Sequence, residues 1–564
     1  MAAPGSRLQM LTRRLMQCCS RAITLVGLGL LATASPTLSA EEIIFTYGFF
    51  ERTIAIEDLA AFANGQGLTP QLRQYAEILQ LSETDLEAAQ QLLTDPADLG
   101  EVAMSQFLYT TQGELLLNTL SEVLQTPARQ RSFLAIRSAL ILAAADDENG
   151  LTLLNFLKKF PTPGIRIDVS QALGIASTIS ETVDRAERAI ALVEASAAIE
   201  AVKATNAPLP SSILVDATAP YTVIRQPINL TFRRIEATLF LPQATASSPL
   251  PDTIPVIVIS HGLGDERASY DYLAEYLAGR GFAVATLDHP GSNSEQIASL
   301  LAGLSPDLVD TQEFLNRPGD VSALLNEIEQ FALQSATFSQ RLDTRNVGVV
   351  GQSFGGYTAL TLAGASFNPE VLDAACGPQT IYLNPSLLLQ CQARDVTTVE
   401  TPSLADARVK AILVVNPIGS QIFGPSGYAQ IEHPIMVLAA AADTVAPGLP
   451  EQIEPFTWLQ TPYRYLVLIN DTTHFSVIAN RPRIAPSIDI PNELLGANPP
   501  MAQEYLEKLS LAFFRRHLEA DIRYEAVLTS RYVEAHIERP TLEPLSLIRE
   551  LTPEALDEAI TAQN

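Results

Sequence analysis

The sequence predicts an α/β fold: a mostly parallel sheet covered by helices on both faces, preceded by an all-α helical domain. Three observations carry that expectation. From Tyr221 on, short apolar runs alternate with helical stretches, the pattern of parallel strands joined by crossover helices. Before Lys203, apolar residues recur at helical spacing instead. One strand-like run, Asn346 to Val350, breaks at Gly351 into Gln352-Ser353-Phe354-Gly355-Gly356, a serine with glycine at both second neighbours.

A chain of 564 residues exceeds what one hydrophobic core organises, so two or three domains are expected. Residues 1–40 contain Arg7, Arg13, Arg14 and Arg21 but no acidic residue, then an apolar run from Ala22 to Ala32 and a small-residue exit at Ser39-Ala40. This pattern reads as a secretory signal peptide cleaved near Ala40, which makes the mature protein exported, periplasmic or extracellular. The apolar run falls short of the roughly 20 residues that a membrane span needs. Arg13-Arg14 leaves the twin-arginine route open beside the general one. No later stretch is a continuous apolar span, so no transmembrane segment is expected in the mature chain. Loss of the four leader arginines takes the formal net charge from −27 to −31. Such an acidic surface repels phosphates and excludes nucleic acid as a partner. Cys18 and Cys19 leave with the leader. Cys376 and Cys391 remain, either bridged, as an oxidising compartment permits, or as two buried thiols.

Residues 41–205 form the helical domain. Thr69-Pro70 and the capping box from Ser82 to Asp85 are start signals, Gly65 is a stop signal, and Leu86, Leu92 and Leu93 or Ile190, Val193 and Ile199 are apolar at helical spacing. The domain has no histidine, so a metal site is not expected there, and its role is a packed bundle, a gate or a docking module. Residues 206–220, with Pro208, Pro210 and Pro220, read as a linker. The sheet domain, 221–520, follows, with strands over 221–229, 230–241, 254–260, 282–287, 346–350, 409–415, 435–440 and 465–469 and helices over 269–279 and 321–333. Segments 295–318 and 366–407 break the alternation and are read as lid insertions, because ligands bind beyond the carboxyl ends of parallel strands. Residues 521–564 read as a C-terminal tail.

Ser353 sits where a strand meets a helix, and side chains at Gly351 or Gly355 would collide with the neighbouring backbone there. A serine becomes a nucleophile only when a base takes its proton and a third group orients that base. After Ser353, one later strand ends at Asp443 and another in Asp471-Thr472-Thr473-His474. His474 is therefore the candidate base and Asp443 the candidate orienting acid, with Asp471 as the alternative. His517 reads as a surface helix cap and His536 as part of the tail. Charge building on a carbonyl oxygen needs backbone donors. The Phe354 amide is one candidate, and the Leu263 amide of His261-Gly262-Leu263-Gly264 is the other. His261 is expected to brace that loop, and Asp288-His289-Pro290-Gly291 to shape the pocket wall.

These segments together resemble an α/β-hydrolase, and within that superfamily the branch of platelet-activating-factor acetylhydrolases and dienelactone-hydrolase-like proteins. The resemblance spans about Tyr221 to Leu518 and rests on the glycine-leucine loop at 262–264, the serine-phenylalanine-glycine-glycine turn, Asp443 and His474. One departure is that dienelactone hydrolases use a cysteine nucleophile where this chain has Ser353. Residues 41–203 resemble the uncharacterised domain that precedes some bacterial α/β-hydrolases. With the leader, the resemblance implies an exported serine hydrolase that cleaves a carboxylic ester without metal or organic cofactor, and Leu383, Leu387, Leu388 and Leu389 in the 366–407 insertion suggest a lipid or short-acyl group. A serine peptidase on the same fold, or a non-catalytic binding protein working through its helical domain, are the alternatives.

Overall fold

A computed structural model describes residues 39–97, 99–203, 218–377, 380, 383–396, 401–479, 492–537 and 545–562. The leader expected over 1–40 lies outside these residues apart from its last two, and so does most of the linker expected over 206–220. The chain divides into two compact units. One runs to Met104 and includes Leu120–Ala172, while the other holds Ser105–Thr119 and everything from Leu173 on.

The first unit contains a small sheet. Strands β1 (Glu42–Tyr47) and β2 (Phe50–Ala55) form an antiparallel hairpin that turns through Gly48, at a φ of 58° that suits a residue without Cβ. Strand β3 (Leu124–Gln125) and strand β4 (Gly164–Asp168) complete the order β2-β1-β4-β3. Helices fill the intervals, among them Glu83–Thr94, which opens on the reciprocal capping box of Ser82 and Asp85. The expectation of an all-α domain is corrected here to a mostly helical unit with four short strands. Six residues or fewer carry too little period-two signal to stand out against long helical patterns, and β1 finds its partner β4 only through distant pairing.

The helix Val169–Lys203 begins in the first unit, but Ala189, Val193 and Ala197 along it are buried in the main core of the second. These residues recur at i, i+4 and i+8, one face of a helix. The boundary therefore falls near Ala172 rather than beyond Lys203.

The second unit is built on β5 (Thr222–Leu230), β6 (Ile235–Gln243), β7 (Ile254–Ser260), β8 (Ala283–Leu287), β9 (Leu342–Gln352), β10 (Val409–Val415), β11 (Ile435–Ala440), β12 (Arg464–Ile469) and β13 (Leu545–Ile548). Their spatial order is β13-β12-β11-β10-β9-β7-β8-β6-β5. The stretch from β8 to β12 is parallel, and β6 and β13 flank it antiparallel. Strand β7 explains its unbroken apolar sequence: Ile254, Val256 and Val258 face one core, and Ile257 and Ile259 face the other.

Three further expectations change. Residues 521–564 are not a free tail, because β13 pairs with β12 and Leu547, Ile548 and Leu556 are buried. The helix expected from Val321 starts at Glu313 and runs to Gln334, carrying Pro318 inside it, so the end of the 295–318 insertion is core rather than lid. Its Phe314, Arg317 and Val321 are fully buried. In the 366–407 insertion, Leu387 and Leu389 are buried, Leu383 and Leu388 are half-buried, and Cys376 and Cys391 form a disulfide.

Candidate active site

Strand β9 ends at Gln352 and the helix Phe354–Leu362 begins two residues on, leaving Ser353 at φ 55° and ψ −116°. That conformation is costly for any residue with a Cβ, and such strain concentrates at functional sites. The surroundings enforce it. A Cβ on Gly351 would lie 2.0 Å from the Gly355 carbonyl oxygen, and one on Gly355 would lie 1.9 Å from the Ser260 carbonyl oxygen. Backbone cannot yield by such amounts, so both positions require glycine. The Ser353 amide donates to Val415 O at 2.9 Å, which fastens the turn to the end of β10.

Asp443 follows β11, and His474 follows β12. The His474 Nδ1 and Asp443 Oδ2 lie 2.8 Å apart, with both residues buried. The other carboxylate oxygen, Oδ1, accepts from the amides of Val445 and Ala446, each at 2.8 Å. A carboxylate so held presents one fixed oxygen, to which Nδ1–H donates, leaving Nε2 as the proton acceptor. Asp471, the alternative acid, is exposed. The side-chain amides of Gln352, at 3.0 Å, and Asn416, at 3.4 Å, both donate to the His474 carbonyl. The residue next to Ser353 thus grips the residue that carries the imidazole. Sequence reasoning assigned no role to Gln352 or Asn416, although Asn416 directly follows a strand end, the same position that drew attention to Asp443.

Leu263 and Phe354 lie on the loop after β7 and at the first position of the helix after β9. Among the described residues, neither amide meets a hydrogen-bond acceptor. A Cβ on Gly262 would lie 3.3 Å from the Ser353 Cβ, so this loop passes directly against the serine. The loop is fixed from behind. The His289 amide donates to His261 Nε2 at 3.1 Å, which leaves the proton on Nδ1 to donate to Gly262 O at 2.6 Å. Burial and the nearby Arg317 charge pull His261 down to about 3, so it is neutral near pH 7.

Behind His261 lies a second hydrogen-bonded serine-histidine-aspartate chain. Ser260 Oγ meets His289 Nε2 at 3.0 Å, and His289 Nδ1 meets Asp320 Oδ2 at 3.0 Å. All three are buried, and Ser260 is the last residue of β7. Burial pushes the Asp320 carboxyl up to about 7. His289, Glu313 and Asp320 have ligand-type atoms within 4.8 Å of one another. Arg233 forms ion pairs with both Glu313 and Asp320, so a cation already occupies the position that a metal would take. His517 is not the expected surface cap: it packs among Tyr463, Tyr465 and Phe513, with Nε2 3.1 Å from Tyr465 Oη.

Among the described residues no hydrogen bond joins Ser353 Oγ to His474; a serine on a strained turn, a histidine oriented by a carboxylate and two amides without acceptors are the groups that acyl transfer requires. Residues 39–168 match a family described as alpha/beta hydrolase of unknown function (DUF1400), and residues 251–405 match one described as serine aminopeptidase, S33. The second match contains Leu263 and Ser353 and stops before Asp443 and His474. No curated protein matches the chain. The nine-stranded, mostly parallel sheet and the two matches together give the chain an α/β-hydrolase fold with a separate N-terminal domain ahead of its sheet.

Proposed function

We propose that the chain is a serine hydrolase that cleaves a carboxylic ester through an acyl-enzyme. Ser353 attacks the carbonyl carbon while His474 Nε2 takes its proton. Asp443 holds the imidazole and stabilises its positive charge, and the amides of Leu263 and Phe354 receive the oxyanion. His474 then returns the proton to the leaving alkoxide. Water, deprotonated by the same imidazole, cleaves the acyl-enzyme and restores Ser353. The observation that carries this reading is the 2.8 Å contact between His474 Nδ1 and Asp443 Oδ2, made beyond the ends of β12 and β11, on one side of the strained serine turn that ends β9.

The likeness of the 262–264 loop and the 353–356 turn to the acetylhydrolases supports an acyl ester, and apolar Leu383 and Leu388 in the insertion suit a lipid or short-acyl group. Export after cleavage near Ala40 is part of the proposal. The arginine-rich, acid-free leader supports it, and so does the Cys376–Cys391 disulfide, since such bonds persist in oxidising compartments. Among the described residues, no helix is long and apolar enough to cross a membrane.

The S33 match favours a second reading, a peptidase on the same site. Steady-state rates on p-nitrophenyl esters from acetate to palmitate, set against aminoacyl p-nitroanilides, separate the two. Ester turnover that disappears in Ser353→Ala supports the esterase. Faster cleavage of the anilides at equal concentration replaces it with the peptidase, and turnover unchanged in Ser353→Ala rejects both.

A further inference from the structure

Arg317 is the largest fully buried side chain among the described residues. A guanidinium removed from water costs several kcal/mol unless its hydrogens and charge are met. They are met only partly: Nε and Nη1 have no acceptor. Glu313 and Asp320, four residues before and three after on the same helix, supply opposing charge. Burial still lowers the group to about 10, which leaves it protonated at neutral pH.

Its two contacts account for its position. Nη2 donates to the His261 carbonyl at 2.5 Å, and Cζ lies 4.4 Å from the centre of the Phe354 ring. His261 opens the loop that carries the Leu263 amide, and Phe354 carries the other amide. The Gly262 carbonyl shares a peptide plane with the Leu263 N–H, and His261 Nδ1 holds that carbonyl. With its own carbonyl held by Arg317, His261 cannot rotate without breaking one of these bonds.

We propose that Arg317 is a positioning residue that joins the two arms of the oxyanion hole, fixing the Leu263 and Phe354 amides at one spacing. The proposal rests on the hydrolase reading above. Such donors act through preorganisation, and an amide displaced by a few tenths of an ångström loses strength for the transition state while ground-state binding is little changed.

The test compares full-length wild type with Arg317→Met and Arg317→Lys on p-nitrophenyl acetate, and measures inhibition by an aryl trifluoromethyl ketone, whose serine adduct carries an oxyanion. Arg317→Met should lower kcat on the order of 100-fold with KM within about threefold, and raise the ketone Ki by a similar factor. Arg317→Lys, which keeps the charge but not the flat stacking on Phe354, should fall between the two. If Arg317→Met does not fold, Arg317→Lys with wild-type Tm carries the test: lowered kcat and raised ketone Ki support the role. Wild-type kcat and ketone Ki in either folded variant overturn it, and so does an equal loss in KM and kcat. A wild type inert to ester and ketone removes the hydrolase reading and this role together, whereas an active wild type with an unimpaired Arg317→Met removes this role alone.

Discussion

The Tyr357 hydroxyl donates to the Phe314 carbonyl at 2.6 Å. In an uninterrupted helix that carbonyl would accept from the amide of residue 318, which is proline and has none. Tyr357 therefore repairs a helix from outside, and through it steadies Arg317, one residue before the proline. Tyr357→Phe leaves a buried carbonyl unsatisfied and should cost about 1–3 kcal/mol in urea denaturation. Pro318→Ala restores the missing amide, so in that background the same change should cost clearly less. Equal costs in the two backgrounds would contradict the repair.

Gln352 and Asn416 should behave as holders of His474. Gln352→Ala and Asn416→Ala are each expected to lower kcat about tenfold while Tm moves by only a few degrees, since each removes one donor to the His474 carbonyl. In the double variant the losses should fall short of multiplying, because both bonds restrain one group. Full multiplicativity in pre-steady-state acylation rates would show that the two act separately.

Glu451 fastens the 366–407 insertion. Its buried carboxylate accepts from Asn384, Ser386, Gln390 and Ser420 side chains and from the Gly419 and Ser420 amides. Glu451→Gln places an NH2 group against donors and should destabilise by about 3 kcal/mol. The disulfide, closing a separation of 15 residues, is the second fastening, worth about 3 kcal/mol. Limited proteolysis should then cut Glu451→Gln under reducing conditions within 366–407. Protection equal to wild type would mean the segment is held by other means.

Acid should weaken the fold through its buried histidines. Burial, reinforced by the Arg516 charge, pulls His517 down to about 4, below the ~6.5 of an unfolded chain. A lowered histidine contributes stability that is fully present above the unfolded value and lost as pH falls toward the folded one. Between pH 7 and pH 5 this group should cost about 1–2 kcal/mol. Denaturation of wild type and His517→Gln at both pH values isolates the effect, and equal slopes would contradict it.

Much of the sheet could be read from the chain, because strands covered on both faces are written as unbroken apolar runs, as in Ile254–Ser260 and Ile435–Ala440. Gly351 is legible because the collision that forbids a side chain there is local, with the Gly355 carbonyl, whereas Gly355 is legible only through the turn pattern, its collision being with the distant Ser260 carbonyl. What escaped depends on distant partners. β13 is four residues long and meaningful only beside β12. Pro318 reads as a helix break unless the Tyr357 hydroxyl, supplied from another element, is known. Arg317 and Asp320 drew no role from the sequence, and only the fold shows them buried, with Arg317 on the His261 carbonyl. The all-α expectation failed on the same ground, since β1 and β4 define each other from opposite ends of the first unit.

The central claim is that Ser353 is activated by His474. It is tested most directly by treating the full chain with a fluorophosphonate and mapping the adduct by peptide mass spectrometry. One adduct on Ser353 is predicted, absent in Ser353→Ala and formed at least 100-fold more slowly in His474→Ala. An adduct on another residue, or labelling at the wild-type rate in His474→Ala, would contradict the account.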